Sequence, residues 1–385
     1  MQFFSFRKEA NIKMKVPADI KNFVKLSPWW RTKVPTEIIL SSDGISDLFN
    51  LLESRGKIPF FVIDSALMPQ PAFAKIFEQE NKFLFDATFS EPRTSDVDNL
   101  VNHIKTLDYD PDVIIGIGGG AAMDLSKATG ICLGNPLKAQ DYQGYSLHMN
   151  KGKDIWTVPA LNGTGAEITP IAVLRGPEKK LGINDSYTES ALTIADPQLS
   201  CGAPKFNRFY TMMDCYYHHY EITKSKTSSA EAIADAHDGL ALAKEVLSND
   251  LTYYKIEAAI KSVVASVLGG SSTIGGRVGI PHAVSYGLSN AAPKLPHSVA
   301  VTLSMLALEE IYPDGYADTV SFIKANNMEL PKASSYGISE KDIPMMTKTA
   351  KGMEKLWQSC YGPENWQSKA TTEFIEKIYT RIVNS

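Results

Sequence analysis

The first half of the chain alternates short apolar runs with segments of helical spacing. Pro59–Asp64 is an apolar run that ends on an acid, as does Phe83–Asp86; Val113–Gly118 runs into glycines, and Asp154–Pro159 is a further short apolar run. Runs this short, rich in Val, Ile and Phe and closed by polar residues or glycine, predict buried strands. Between them, residues 94–107 and 121–131 place apolar side chains at helical intervals, which predicts two helices, the first capped by Thr94 or Ser95. Strand alternating with helix predicts a mostly parallel α/β sheet. The pattern changes after Asp196-Pro197. Residues 227–247, 256–268, 303–311, 343–357 and 371–382 all carry the helical period, so an all-α second half is expected. The boundary falls near residues 195–205 without a flexible linker, which gives an α/β domain over 1–198 and a helical domain over 199–385.

Composition narrows the class only by exclusion. The 385 residues are 44% hydrophobic and 21% charged with no low-complexity run, so a globular chain with a large core is expected. A net charge of −4 argues against nucleic acid or an anionic membrane as partner. The cysteines Cys132, Cys201, Cys215 and Cys360 are scattered, which suits reduced thiols better than a disulfide framework. No run of about 18 apolar residues is visible, so no membrane span is expected. The N-terminus lacks the apolar core of a secretory signal and reads as a short arm against a neighbour. A cytoplasmic homodimer acting on a small molecule is the expected setting.

Candidate chemistry lies in both halves. Asp214 and His218 stand four apart, so a helix would project both from one face. His282 and His297 follow, and these three are among only seven histidines in the chain. One carboxylate and three imidazoles suit a divalent transition metal, Zn²⁺ or Fe²⁺. In the first half, Gly118-Gly119-Gly120 joins a strand to a helix, where the amides of the helix N-terminus suit a diphosphate. Any tight turn between strand and helix also uses glycines, and the spacing is not the common GxGxxG. Asn162-Gly163-Thr164-Gly165 is a second glycine-permissive loop with amide and hydroxyl donors. Asp64 ends a strand, where it suits an adenosine ribose and disfavours a 2′-phosphate, or else caps the following turn. Asp124 follows the glycines by four residues and is read as capping loop amides or contacting the nicotinamide ribose. Lys127 by itself reads as a solvated helix lysine. His219, about 100° around the helix from His218, reads as packing or surface. His103, His148 and His237 have no partner spacing. Tyr210, Tyr216, Tyr217 and Tyr220 read mostly as core.

With these residues in place, the chain resembles the iron-containing (group III) alcohol dehydrogenase family from about residue 35 onward. GGGAAMDLSK is similar to that family's glycine motif, and NGTGAEIT to its loop AGTGSE-x-T. IADPQL matches the segment leading out of its first domain. MMDCYYHHYE resembles the helix DAxxHxxE, with Glu221 in its last place, and GIPHAVSYGLSNAAPKLPH resembles the segment of the last two ligands. The resemblance implies a Rossmann-like domain binding NAD and a helical domain carrying one metal on Asp214, His218, His282 and His297, the architecture shared with dehydroquinate synthase. It places Thr169 and Lys180 in the cofactor set with Asp64, Gly118–Gly120, Asp124 and Asn162–Gly165, and for Lys127 it favours a contact to the cofactor region. Many family members have HxxxH at the third ligand; here the second position is Tyr286. A phenol with a pKa near 10 is a poor proton acceptor at neutral pH, so Tyr286 is expected to donate or orient. Tyr286 and the segment Lys180–Thr188 resemble the branch that oxidises the C8 hydroxyl of the sugar acid 3-deoxy-D-manno-octulosonate (Kdo), a step of lipopolysaccharide biosynthesis. Lys180 and Arg277 are, by position alone, cationic partners for such an anion. The alternatives are a general small-alcohol or diol dehydrogenase or aldehyde reductase, a lyase or cyclase like dehydroquinate synthase, and a non-catalytic binding protein.

Overall fold

The computed structural model describes residues 12–14, 35–87, 91–145, 147, 149–178, 180–330 and 332–385, with the backbone alone for 12–14. Most of the expected N-terminal arm and His148 lie outside these residues. The described residues form two compact units that divide between Ala203 and Pro204.

The first unit is built on seven parallel strands. They are β1 (Ile12–Met14), β2 (Glu37–Leu40), β3 (Pro59–Asp64), β4 (Lys82–Phe85), β5 (Val113–Gly118), β7 (Asp154–Pro159) and β10 (Leu192–Ala195), in the order β1-β2-β10-β7-β5-β3-β4. Alternate residues of one strand enter different cores. Phe61, Ile63, Ile115 and Ile117 pack with Leu48 and Trp156, while Phe60, Val62 and Ile114 pack with Leu125 and Ile131. A sheet covered on both faces needs apolar residues at every position, which is why its strands read as continuous runs. A smaller sheet joins β6 (Gly144–Tyr145), β9 (Lys180–Asn184) and β8 (Ile171–Arg175), with β8 and β9 antiparallel. The helix Gly120–Cys132 lies directly on β5: a Cβ at Gly116 would stand 2.2 Å from Ser126 Oγ, so only glycine permits this approach.

The second unit contains no strand among the described residues. Its main helices are Lys205–Thr223, Ala230–Leu247, Ile256–Gly275, Ile280–Ala291, His297–Leu306, Pro313–Ala325, Ile343–Lys351, Glu354–Tyr361 and Thr372–Val383. Three details differ from the expected pattern. The span 343–357 is two helices separated at Gly352-Met353, the helix expected over 303–311 begins earlier at His297, and Pro313–Ala325 is an additional helix. The helix Ile256–Gly275 is long and apolar enough, by length and composition, to cross a membrane. Most of it is buried inside its unit, with Ala265, Val267 and Leu268 fully covered, so it is a core helix here. Tyr210, Tyr216, Tyr217 and Tyr220 are buried in the same core. No disulfide joins any of the four cysteines.

Candidate metal centre and cofactor loop

The glycine turn of the first unit is shaped by what its residues lack. Gly118 has φ +149°, and a Cβ there would stand 2.8 Å from Asp64 Cβ and 3.0 Å from Ala122 Cβ. Any side chain at this position is excluded twice, by backbone conformation and by space. The helix that begins at Gly120 aims its first amides out of this turn. The 162–165 loop stands beside it: a Cβ at Gly119 would meet Leu161 Cδ1 at 3.4 Å, and one at Gly120 would lie 4.0 Å from Thr164 Oγ1. Gly165 takes φ +72° to turn the loop.

Asp64 ends β3 and is nearly buried. Its Oδ1 accepts the Ala66 N–H at 3.0 Å, so it caps the turn Ser65–Leu67 while also lining Gly118. Burial raises its pKa. Asp124 accepts the Val173 N–H through Oδ2 at 3.1 Å. Burial, opposed by Lys127, pushes its pKa up to about 6. Thr169 is buried, its Oγ1 3.5 Å from Lys127 Nζ. Lys180 is buried on β9 and ion-paired with Glu91, which also holds Arg175 at 3.3 Å. Lys127 is not solvated. It is fully buried, and its ammonium donates to the carbonyls of Ala166, at 2.9 Å, and Ile171. It therefore ties the glycine helix to the loop that follows Gly165.

In the second unit, the helix Lys205–Thr223 presents Asp214 and His218 one turn apart, and Ile280–Ala291 brings His282 to them. One ligand atom from each of the three lies within 4.8 Å of the others. His282 Nε2 stands 3.3 Å from Asp214 Oδ1, and His218 Nε2 stands 3.9 Å from the same oxygen. Asp214 Oδ1 and His282 Nε2 are buried and make no hydrogen bond. His297, the first residue of its helix, has its ring 5.6 Å from that of His282; it adjoins the three and is not part of the tight cluster. Tyr286, one turn after His282, has its ring 6.2 Å from that of His297.

The residue that the ligand pattern alone does not reveal is Glu221. Its Oε1 accepts from His282 Nδ1 at 2.7 Å, and its Oε2 accepts the Gly279 N–H at 2.6 Å. This leaves Nε2 of His282 as the nitrogen facing Asp214, an arrangement that fixes the tautomer of a metal-binding imidazole. The signal for it was its place two turns after Asp214 on the same helix. Burial alone would raise the pKa of Asp214, but the contact with His282 and the charges of His297 and His218 hold it far below the carboxylate range. Burial and the neighbouring His282 push His218 down to about 3. Buried, unmet oxygen and nitrogen donors converging at this spacing fit a single divalent cation. His219 points elsewhere, its Nε2 3.0 Å from the Ala265 carbonyl under Gly239. His103 and His237 are exposed. Arg277 bonds through its backbone to Ser228 and Ser359.

Residues 35–197 match the family model for iron-containing alcohol dehydrogenase. The sulfoacetaldehyde reductase of Bilophila wadsworthia (strain 3_1_6) is 32% identical over 133 residues, 34% of this chain and 34% of its own length. The match thus spans about a third of that curated relative. The sulfoacetaldehyde reductase of Bifidobacterium kashiwanohense, solved in complex with NAD⁺, is similar in fold with a TM-score of 0.76 and 19% identity, over 92% of this chain and 99% of that one. The iron-containing alcohol dehydrogenase of Thermotoga maritima gives a TM-score of 0.72 and 20% identity, over 92% and 100%. The fold is that of the iron-containing alcohol dehydrogenases, and the match to that family's model covers residues 35–197.

Proposed function

We propose that the chain is a metal-dependent, NAD-linked oxidoreductase that interconverts a primary alcohol and its aldehyde. The observation that carries this reading is the cluster of Asp214, His218 and His282, whose ligand atoms converge within 4.8 Å, with Asp214 Oδ1 and His282 Nε2 buried and facing each other. Bound there, Fe²⁺ or Zn²⁺ supplies Lewis acidity toward a substrate oxygen, and NAD supplies the hydride acceptor. Asp214, His218 and His282 would hold the ion with His297 beside them, and Glu221 would keep His282 oriented. Gly118–Gly120 would let a diphosphate approach the helix amides, and Asp64 would disfavour a 2′-phosphate.

The substrate within this reading is a polyhydroxylated sugar acid such as Kdo, oxidised at C8. Tyr286 supports it: without a histidine at that place, proton removal falls to water and to neighbouring hydroxyls, which a polyol chain carries. The relatives favour a second reading, reduction of a small anionic aldehyde, since two similar proteins are sulfoacetaldehyde reductases.

The test is a panel of NADH formation with Kdo, aldoses, diols and simple alcohols, and NADH consumption with sulfoacetaldehyde, on protein loaded with Fe²⁺ or with Zn²⁺. Kdo should be turned over faster than ethanol or propanediol, and Tyr286→His should raise small-alcohol turnover more than sugar turnover. Brisk oxidation of simple alcohols without response to Kdo removes the sugar-acid reading. Preferred sulfoacetaldehyde reduction establishes the second. Absence of net NADH change with every compound removes the dehydrogenase class and returns the fold to lyase or cyclase chemistry.

A further inference from the structure

The second cofactor loop departs from the family pattern at its first residue. Asn162 stands where AGTGSE-x-T has alanine. Its side chain is buried, yet neither its amide nitrogen nor its carbonyl oxygen has a hydrogen-bond partner. The other two buried asparagines among the described residues are paired at both ends. Asn135 donates to the Ile131 and Asn150 carbonyls and accepts the Asn150 N–H. Asn326 donates to the Leu247 and Phe322 carbonyls and accepts the Leu251 N–H. Nearly all buried polar groups in folded proteins are satisfied, and one that is not calls for a ligand or an ordered water.

The place of Asn162 narrows the ligand. It follows Leu161, which meets Gly119, and precedes Thr164, which lies beside Gly120. It therefore belongs to the wall of the glycine turn. A diphosphate offers acceptors only; it would satisfy the amide nitrogen and leave the carbonyl oxygen without a donor. A primary carboxamide offers an acceptor and a donor side by side in one plane, the complement of an asparagine amide.

We propose that Asn162 pairs with the carboxamide of the nicotinamide ring and selects for it. This rests on the dinucleotide reading above and names a residue that the family pattern does not carry. No bond forms or breaks at Asn162; its role is to position the ring.

The test is calorimetric titration of the metal-loaded protein and of Asn162→Ala with NAD⁺, with ADP-ribose, which lacks the ring, and with the 3-acetylpyridine analogue of NAD⁺, in which a methyl replaces the NH₂. The wild type should prefer NAD⁺ to the analogue. Asn162→Ala should weaken NAD⁺ about tenfold, leave ADP-ribose unchanged and abolish the preference over the analogue. Asn162→Leu keeps a similar volume, adds no charge beside the diphosphate and removes both hydrogen-bonding atoms; it should also weaken NAD⁺ selectively, and it replaces the alanine variant if that one does not fold. Equal weakening of NAD⁺ and ADP-ribose would place the amide on a ribose or the diphosphate and overturn the proposal. No weakening of either would assign its partner to water and overturn it as well. If the wild type binds none of the three, the dinucleotide reading itself fails, and this assignment with it.

Discussion

The glycine turn of the α/β unit and the cluster of the helical unit prepare for a ligand in opposite ways. At Gly118 the site is made by withholding atoms: φ +149° and a gap too narrow for a Cβ admit glycine alone. At Asp214, His218 and His282 the site is made by supplying atoms and leaving them unmet, while Glu221 holds one of them in place. The first site should fail when something is added, the second when something is removed.

The largest effect is expected from removal. His282→Ala takes one of three converging donors and should lower metal affinity by more than about 100-fold, beyond what loss of an outer partner costs. Metal analysis after dialysis checks this, and wild-type occupancy in the variant would sink the assignment. Glu221→Gln removes no candidate ligand but leaves one acceptor oxygen for two donors, His282 Nδ1 and the Gly279 N–H. Metal affinity should fall about 10- to 100-fold. If competition with a chelator shows equal affinities in wild type and variant, Glu221 has no orienting role.

The opposite test is addition. Gly118→Ala should cost about 1–3 kcal/mol of stability by chemical denaturation and weaken NAD⁺, while metal content in the other unit stays unchanged. A parallel loss of metal would show that the two sites do not fail independently. The smallest effect belongs to Asp64→Ala, which removes a like charge and should improve NADP⁺ use relative to NAD⁺ by several-fold. An unaltered ratio of the two specificity constants would leave Asp64 with its turn-capping bond alone.

The same contrast governs how much could be read without coordinates. The strand Val113–Gly118 is legible because burial on both faces demands an unbroken apolar run that ends in glycine. Asp214 and His218 are legible because a helix puts fourth neighbours on one face. The burial of Lys127 is not, because its partners are carbonyl oxygens in a loop some forty positions away, and backbone oxygens leave no trace in residue type. The helix Pro313–Ala325 is not legible because it opens on a proline and a glycine, residues usual in turns; proline fits the first helical turn, and Gly315 makes room for Tyr220, to which a Cβ would come within 2.7 Å. The short antiparallel pair β8–β9 is set by distant pairing and by Lys180 turning inward to Glu91, against the usual habit of a lysine.

The helix Ile256–Gly275 has a further consequence. Folded, it is ordinary core. In a chain still leaving the ribosome, or one loosened by heat, the same twenty residues expose an apolar segment to other open chains. Survival of this protein at elevated temperature is therefore a race between reclosure and aggregation, and its half-life should shorten as protein concentration rises even where the equilibrium still favours the native state.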